Sequence, residues 1–211
     1  MIYRNDVALQ TAGYLLQIKA VKLSPKNLFT WASGIQSPIY CDNRVTLSFP
    51  EIRTFIKDQF VGAIREKIGK PELIAGVATG GIAQGALVAQ ELDLPFAYVR
   101  TGKKDHGLTN QIEGNVHPGQ PVVVVEDLIS TGKSSLEVVA ALREAGCIIK
   151  GMVAIFTYNL PIAEKGFSDA NCLLVTLSDY DILVKKALEI NYITEEDLKV
   201  LQEFKKVLAN K

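Results

Sequence analysis

Apolar side chains recur three and four residues apart along residues 5–20 (NDVALQTAGYLLQIKA), a helical period, with Asn5 or Asp6 placed to cap its start. A Ser-, Pro- and aromatic-rich stretch follows, and its turn residues predict short strands rather than one long element. Residues 51–68 return to helical spacing and end near Gly69 and Pro71. Beyond them, short apolar runs alternate with amphipathic segments. Strands are predicted at 72–78, 95–100, 121–127, 148–156 and 172–177, and helices at 81–92, 133–146 (closed by Gly146), 179–188 and 194–209. The continuous β-branched run Val122 to Val125 fits a strand buried on both faces. Strands separated by helical segments of 12–15 residues predict an α/β fold: a central, mainly parallel sheet flanked by helices. Residues 1–45 are expected to form a small hood over the sheet's edge, and 46–211 one compact core.

Composition narrows the function classes. With 211 residues, 48% of them hydrophobic and 22% charged, the chain can fill one good core. Lys and Arg balance Asp and Glu at 23 each, so no bulk field favours nucleic acid or a membrane surface, and any basic site must be local. Cys41, Cys147 and Cys172 are odd in number and far apart, which suits a reducing compartment and small apolar fillers. No apolar leader precedes the first helix and no run approaches the roughly 20 residues of a membrane span. A cytoplasmic protein is expected.

The sharpest chemistry lies at the end of the Val122 strand. Glu126 and Asp127 are followed by Leu128, Ile129 and then Ser130, Thr131, Gly132, Lys133 and Ser134 at a helix start. Ligands of open parallel sheets bind at strand carboxyl ends, and unpaired amides at a helix N-terminus attract anions. The Ser and Thr cluster could instead be a plain N-cap, with Lys133 no more than a solvated first-turn residue. The acid pair argues otherwise, because two buried carboxylates cost desolvation unless hydroxyls, such as those of a vicinal diol, donate to them. Gly132, Lys133 and Ser134 hint at a nucleoside-triphosphate loop, but that motif requires glycine where Asp127 stands. The glycines of residues 78–85 likewise miss the dinucleotide spacing. Between Arg100 and Pro121 runs a glycine-rich segment holding Lys103, Lys104 and both histidines, His106 and His117. A solvated hairpin explains it simply; mobile charge that arrives with a substrate explains its cations.

VVVVEDLISTGKS resembles the thirteen-residue signature of the type I phosphoribosyltransferases, with hydrophobics, acid pair and polar loop in register. The resemblance implies 5-phosphoribosyl 1-diphosphate as donor. It implies Glu126 and Asp127 on the ribose 2- and 3-hydroxyls, and Leu128, Ile129, Ser130, Thr131, Gly132, Lys133 and Ser134 around the 5-phosphate. RTGKKDHG (100–107) and FTWASGIQSPIYCDNR (29–44) are similar to segments of the orotate-using members of that family. They imply that Arg100, Lys103, Lys104 and His106 reach the diphosphate of a neighbouring subunit in a homodimer, through the loop 101–118. Lys104, His106 and Asp127 would be catalytic, while Ser130 and the main chain at Tyr40 and Cys41 would meet orotate. Magnesium would be carried mainly by the substrate, with no direct protein ligand. Thr101, Ala32 and Gly80 stand where lysines are common in the family, and Tyr158 where an arginine binds the base. The alternatives are a sister enzyme for adenine, xanthine or hypoxanthine, and a non-catalytic sugar-phosphate sensor. The sensor would need a nucleic-acid surface that neither the charge nor any helix-turn-helix pattern supplies. Trp31 reads as packing rather than stacking on a base, and 194–209 as a surface helix with an apolar stripe.

Overall fold

The structure is a computed structural model describing residues 1–31, 34–100 and 111–209. Helix α1 (Asn5–Gln17) leads into the antiparallel pair β1 (Val21–Leu23) and β4 (Ile39–Cys41), which brackets a smaller pair, β2 (Phe29–Thr30) and β3 (Gln36–Ser37). A 3-10 turn (Asn43–Ser48) and α2 (Pro50–Ala63), extended by a wide turn at Ile64–Ile68, precede the sheet. Its strands and helices follow as β5 (Leu73–Val77), α3 (Gly80–Leu92), β6 (Phe96–Val99), β7 (Ile112–Glu113), β8 (Pro121–Ile129), α4 (Lys133–Glu144), β9 (Ile148–Thr157), α5 (Pro161–Asp169) and β10 (Leu174–Asp179). Helices α6 (Tyr180–Glu189) and α7 (Glu195–Ala209) complete the described fold. The six-stranded sheet runs β10-β9-β8-β5-β6-β7, parallel except for β7, as the alternating pattern predicts.

Alternation along β8 builds both cores. Val123 and Val125 join the cluster formed with α1, α2, α3 and α6, while Val122 and Val124 face the cluster formed with α4 and α5. The start of helix α3 can lie directly on the sheet because glycines stand at the closest contacts, Gly76 on β5 and Gly81 on α3. A Cβ on Gly76 would sit 2.8 Å from the Gly81 carbonyl oxygen, and one on Gly81 only 2.2 Å from that of Val125. The start of α3 is thereby pressed against the carboxyl ends of β5 and β8, where the sequence places the acid pair.

Several boundaries differ from the sequence-based expectation. The first helix ends at Gln17, and Lys19 follows with φ 58°. Neither Asn5 nor Asp6 caps it: Arg4 occupies the cap without a side-chain bond, and Asp6 pairs with Arg4 at 3.0 Å. The last strand starts at Leu174 because Cys172 still closes the turn after α5, donating its N–H to Phe167 O at 3.0 Å. Helix α5 was not expected, although Pro161 at its first position is a helix-start signal. The Thr194 N–H donates to Asp197 Oδ2 at 3.1 Å and the Asp197 N–H to Thr194 Oγ1 at 3.2 Å, which starts α7 as a capping box.

Gly81→Ala should therefore destabilise the protein on the order of 3 kcal/mol, since backbone rather than a movable side chain meets the new methyl. Urea unfolding measures it, and an unchanged midpoint would contradict this packing.

Candidate active site

The site grows from a mismatch between ladders. Pairing of β8 with β5 stops at Gly76↔Val125, whereas pairing with β9 continues to Ile129↔Thr157. Glu126 and Asp127 lie just past the last pair with β5, and side chains bond Asp127's main chain. Its N–H donates to Glu126 Oε1 at 2.8 Å, and its carbonyl accepts from Asn43 Nδ2 at 2.7 Å.

Sequence reasoning treats the two acids as equivalent carboxylates, and the structure separates them. Glu126 is 4% exposed, with Oε2 accepting from Ser135 Oγ at 2.9 Å. Burial, and then the adjoining Asp127 carboxyl, push the Glu126 carboxyl up to about 9. Its two oxygens accept from Ser135 and from the Asp127 N–H, so its desolvation is offset inside the protein. Asp127 is half-buried and lies over the first residue of α3, where a Cβ on Gly80 would come within 2.1 Å of Oδ1. Glycine at 80 thus leaves the carboxylate its place at the positive end of a helix.

A cleft of about 340 Å³ opens here. Glu126, Asp127, Leu128 and Ser134 line it together with Cys41 and the turn Ala78 to Gly80, whose Ala78–Thr79 peptide bond is cis. Gly132 precedes α4 with φ 78°, and the first helical bond runs from Leu136 N–H to Gly132 O, which leaves the amides of residues 133–135 outside the helical ladder. A methyl on Gly132 would lie 2.9 Å from the Phe167 ring, so α5 supports the loop from behind. Thr131, Lys133 and Ser134 are exposed and Ser130 is half-buried. This arrangement offers hydroxyl acceptors at one end and an anion site at the other, a few residues apart on one turn.

The remaining candidates fall in different places. Ile129 is fully buried, so only its main chain borders the turn, and its carbonyl already accepts the Tyr158 N–H. Tyr40 turns away from the cleft and packs against Phe29, ring centroids 5.7 Å apart, while Cys41 lines the cleft with burial pushing its thiol well above the ordinary range. Arg100 directly follows β6 and pairs with Glu113 of β7 at 3.1 Å, and its N–H bonds Gln111 O, which gives the expected loop a hairpin base. His117 bonds Asn115 and Gln120 within the turn before β8. Thr101, Lys103, Lys104, His106 and Ala32 lie outside the described residues. Tyr158 is buried among Trp31, Phe156 and Tyr180, and Trp31 also meets Phe204 while donating to Ile39 O, a packing role. Sequence reasoning missed Asn43 and Ser135, which hold the acid pair. Ser135 sits beside the phosphate loop in sequence, but nothing local signals Asn43.

Comparison with known proteins agrees with this geometry. Residues 51–181 match the phosphoribosyl transferase domain. An orotate phosphoribosyltransferase of Bacteroides fragilis is 57% identical over 195 residues, 92% of each chain. One from Streptococcus pneumoniae is 56% identical over 204 residues, 97% of each. The crystal structure of orotate phosphoribosyltransferase from Aeropyrum pernix superposes with a TM-score of 0.75 at 26% identity, over 87% of this chain and 99% of that one.

The raised Glu126 carboxyl has a stability signature. Between the ordinary value of 4.5 and about 9 the unfolded chain has lost this proton and the folded one keeps it, so its contribution, complete below 4.5, falls as pH rises through that window. Glu126→Gln mimics the protonated form and removes the slope. Denaturation midpoints at pH 5 and pH 8 should show the variant gaining on the parent toward the alkaline end; parallel profiles would refute a protonated Glu126.

Proposed function

The chain belongs to the phosphoribosyl transferase family, and on that premise we propose that it transfers the phosphoribosyl group of 5-phosphoribosyl 1-diphosphate to orotate, releasing diphosphate and forming orotidine 5-phosphate. This is a step of pyrimidine nucleotide synthesis. The carrying observation is the cleft at the end of β8, where Asp127 stands on the same turn as the unpaired amides of α4. A ribose 5-phosphate presents a diol and an anion to match. The names of the relatives supply the base.

In the proposed reaction the bond from ribose C1 to the diphosphate oxygen breaks as a bond to the pyrimidine nitrogen forms. Asp127 accepts hydrogen bonds from the ribose hydroxyls, with Glu126 as its buried neighbour, while Ser130 to Ser134 hold the 5-phosphate and fix the ring. Ser130 and the main chain at Tyr40 and Cys41 form the orotate side. Arg100, Lys103, Lys104 and His106 meet the negative charge that grows on the leaving diphosphate, where fixed cations favour the transition state most. Magnesium, an oxygen-seeking ion, would neutralise the diphosphate and arrive with it. Among the described cleft carboxylates Asp42 pairs with Arg44 at 2.7 Å and Glu126 is buried against Ser135, so Asp127 would face the ion, which fits one held mainly by substrate and water. We further propose a homodimer in which the 101–118 loop of one subunit covers the cradle of the other. A cytoplasmic setting accords with free Cys41, Cys147 and Cys172, and no described helix is long and apolar enough to cross a membrane.

The direct test follows the absorbance of orotate with the ribosyl donor and magnesium. Orotate is consumed, while adenine, xanthine and hypoxanthine are not; turnover of a purine instead would overturn the base assignment. Lys104→Ala should lower kcat about 100-fold or more and leave the orotate KM near the parent value. A change confined to the orotate KM would contradict its place at the diphosphate. For the shared site, Asp127→Asn and Lys104→Ala proteins are mixed under conditions of verified subunit exchange. About half of the dimers become mixed, each with one intact site, so roughly one quarter of the parent activity returns. If each loop served its own subunit, none would return.

A further inference from the structure

The carboxylate on which ribose binding is proposed to depend stands on a residue whose carbonyl is bonded by a side chain from outside the sheet. Past the end of β5, the Asp127 carbonyl is taken by the side chain of Asn43, 84 residues away in sequence, at 2.7 Å. Asn43 is 1% exposed and held from several directions. Its own carbonyl accepts from Thr46 Oγ1 at 2.6 Å, its Oδ1 accepts the Cys41 thiol at 3.3 Å, and the turn it begins is capped by Asp42, which accepts the Arg44 N–H at 3.2 Å. An amide fixed in this way has no rotamer freedom to lose when it donates.

We infer that Asn43 is a positioning residue for ribosyl transfer: its amide holds the end of β8 beyond the last pair with β5, sets the pitch of that end, and so aims the Asp127 carboxylate at the ribose. The inference rests on the proposed ribosyl transfer. Cys41, which lines the same cleft, bonds the other end of that amide. One side chain thus connects the segment assigned to the base with the segment assigned to the ribose. A group that acts only through Asp127 must lose its importance once Asp127 can no longer do its work, whereas a bond that merely stabilises the fold keeps its value in either background.

A double-mutant cycle separates the two. The kcat/KM for the ribosyl donor is measured in the parent, Asn43→Ala, Asp127→Asn and the double variant, with circular dichroism to verify folding. Asn43→Ala should cost about 10- to 100-fold in the parent background, the scale of a small misplacement of a reacting group. In the Asp127→Asn background it should cost less than about twofold. Equal losses in both backgrounds, or no loss in the parent, would overturn the role. Asn43→Asp, nearly isosteric but without the amide donor, serves where the alanine variant does not fold. A readout in the unaltered protein follows from reciprocity: if this bond favours donor binding, donor binding must strengthen the bond. Exchange of the Asn43 side-chain amide protons should then slow when the donor is added, and exchange indifferent to the donor would count against the inference. A parent protein without turnover would sink ribosyl transfer itself; an active parent with additive losses would sink only Asn43.

Discussion

Strand β8 runs on along β9 after β5 has ended, and the overhang carries the acid pair. Main-chain groups buried without a partner cost free energy comparable to a lost hydrogen bond, so an overhang of this kind survives only where side chains complete the ladder. Glu126 accepts the Asp127 N–H and Asn43 donates to the Asp127 carbonyl. The cleft exists because the sheet stops there, and it keeps its shape because these two side chains finish what the strand does not.

The same economy governs the charges. Two ionised carboxyls on adjacent residues would repel in a poorly hydrated site. Here Glu126 is drawn inward to Ser135, where burial raises its carboxyl toward the neutral form, while the Asp127 side chain lies over the amino end of α3. That placement depends on glycine twice over: Gly81 lets α3 approach the Val125 carbonyl, and Gly80 leaves room for the carboxylate. Core packing and site electrostatics are thus one arrangement.

Much of this was legible in the sequence. The Val122 to Val125 run, the acids behind it and the small polar residues at the start of α4 are contiguous, and local order is what pattern reading captures. The parallel sheet followed from alternation, and Gly146 closed α4 as expected, with φ 86°. Features made by long-range contact were not legible. Asn43 acts across 84 residues, and nothing near it distinguishes a ladder cap from a turn asparagine. The unequal fates of Glu126 and Asp127 follow from where β5 ends, which two adjacent acidic letters do not record. Tyr158 was compared with an arginine site and is instead an aromatic core residue, fixed by Trp31 and Tyr180 from remote parts of the chain.

The central claim is that Glu126 is held neutral before any substrate arrives. Carbon-13 NMR of protein labelled at the glutamate carboxyl carbons, with Glu126 assigned by its loss in Glu126→Gln, follows that proton directly. The account predicts a Glu126 resonance at the protonated position at neutral pH, moving only as pH approaches about 9. A resonance that titrates near the ordinary 4.5 would contradict it.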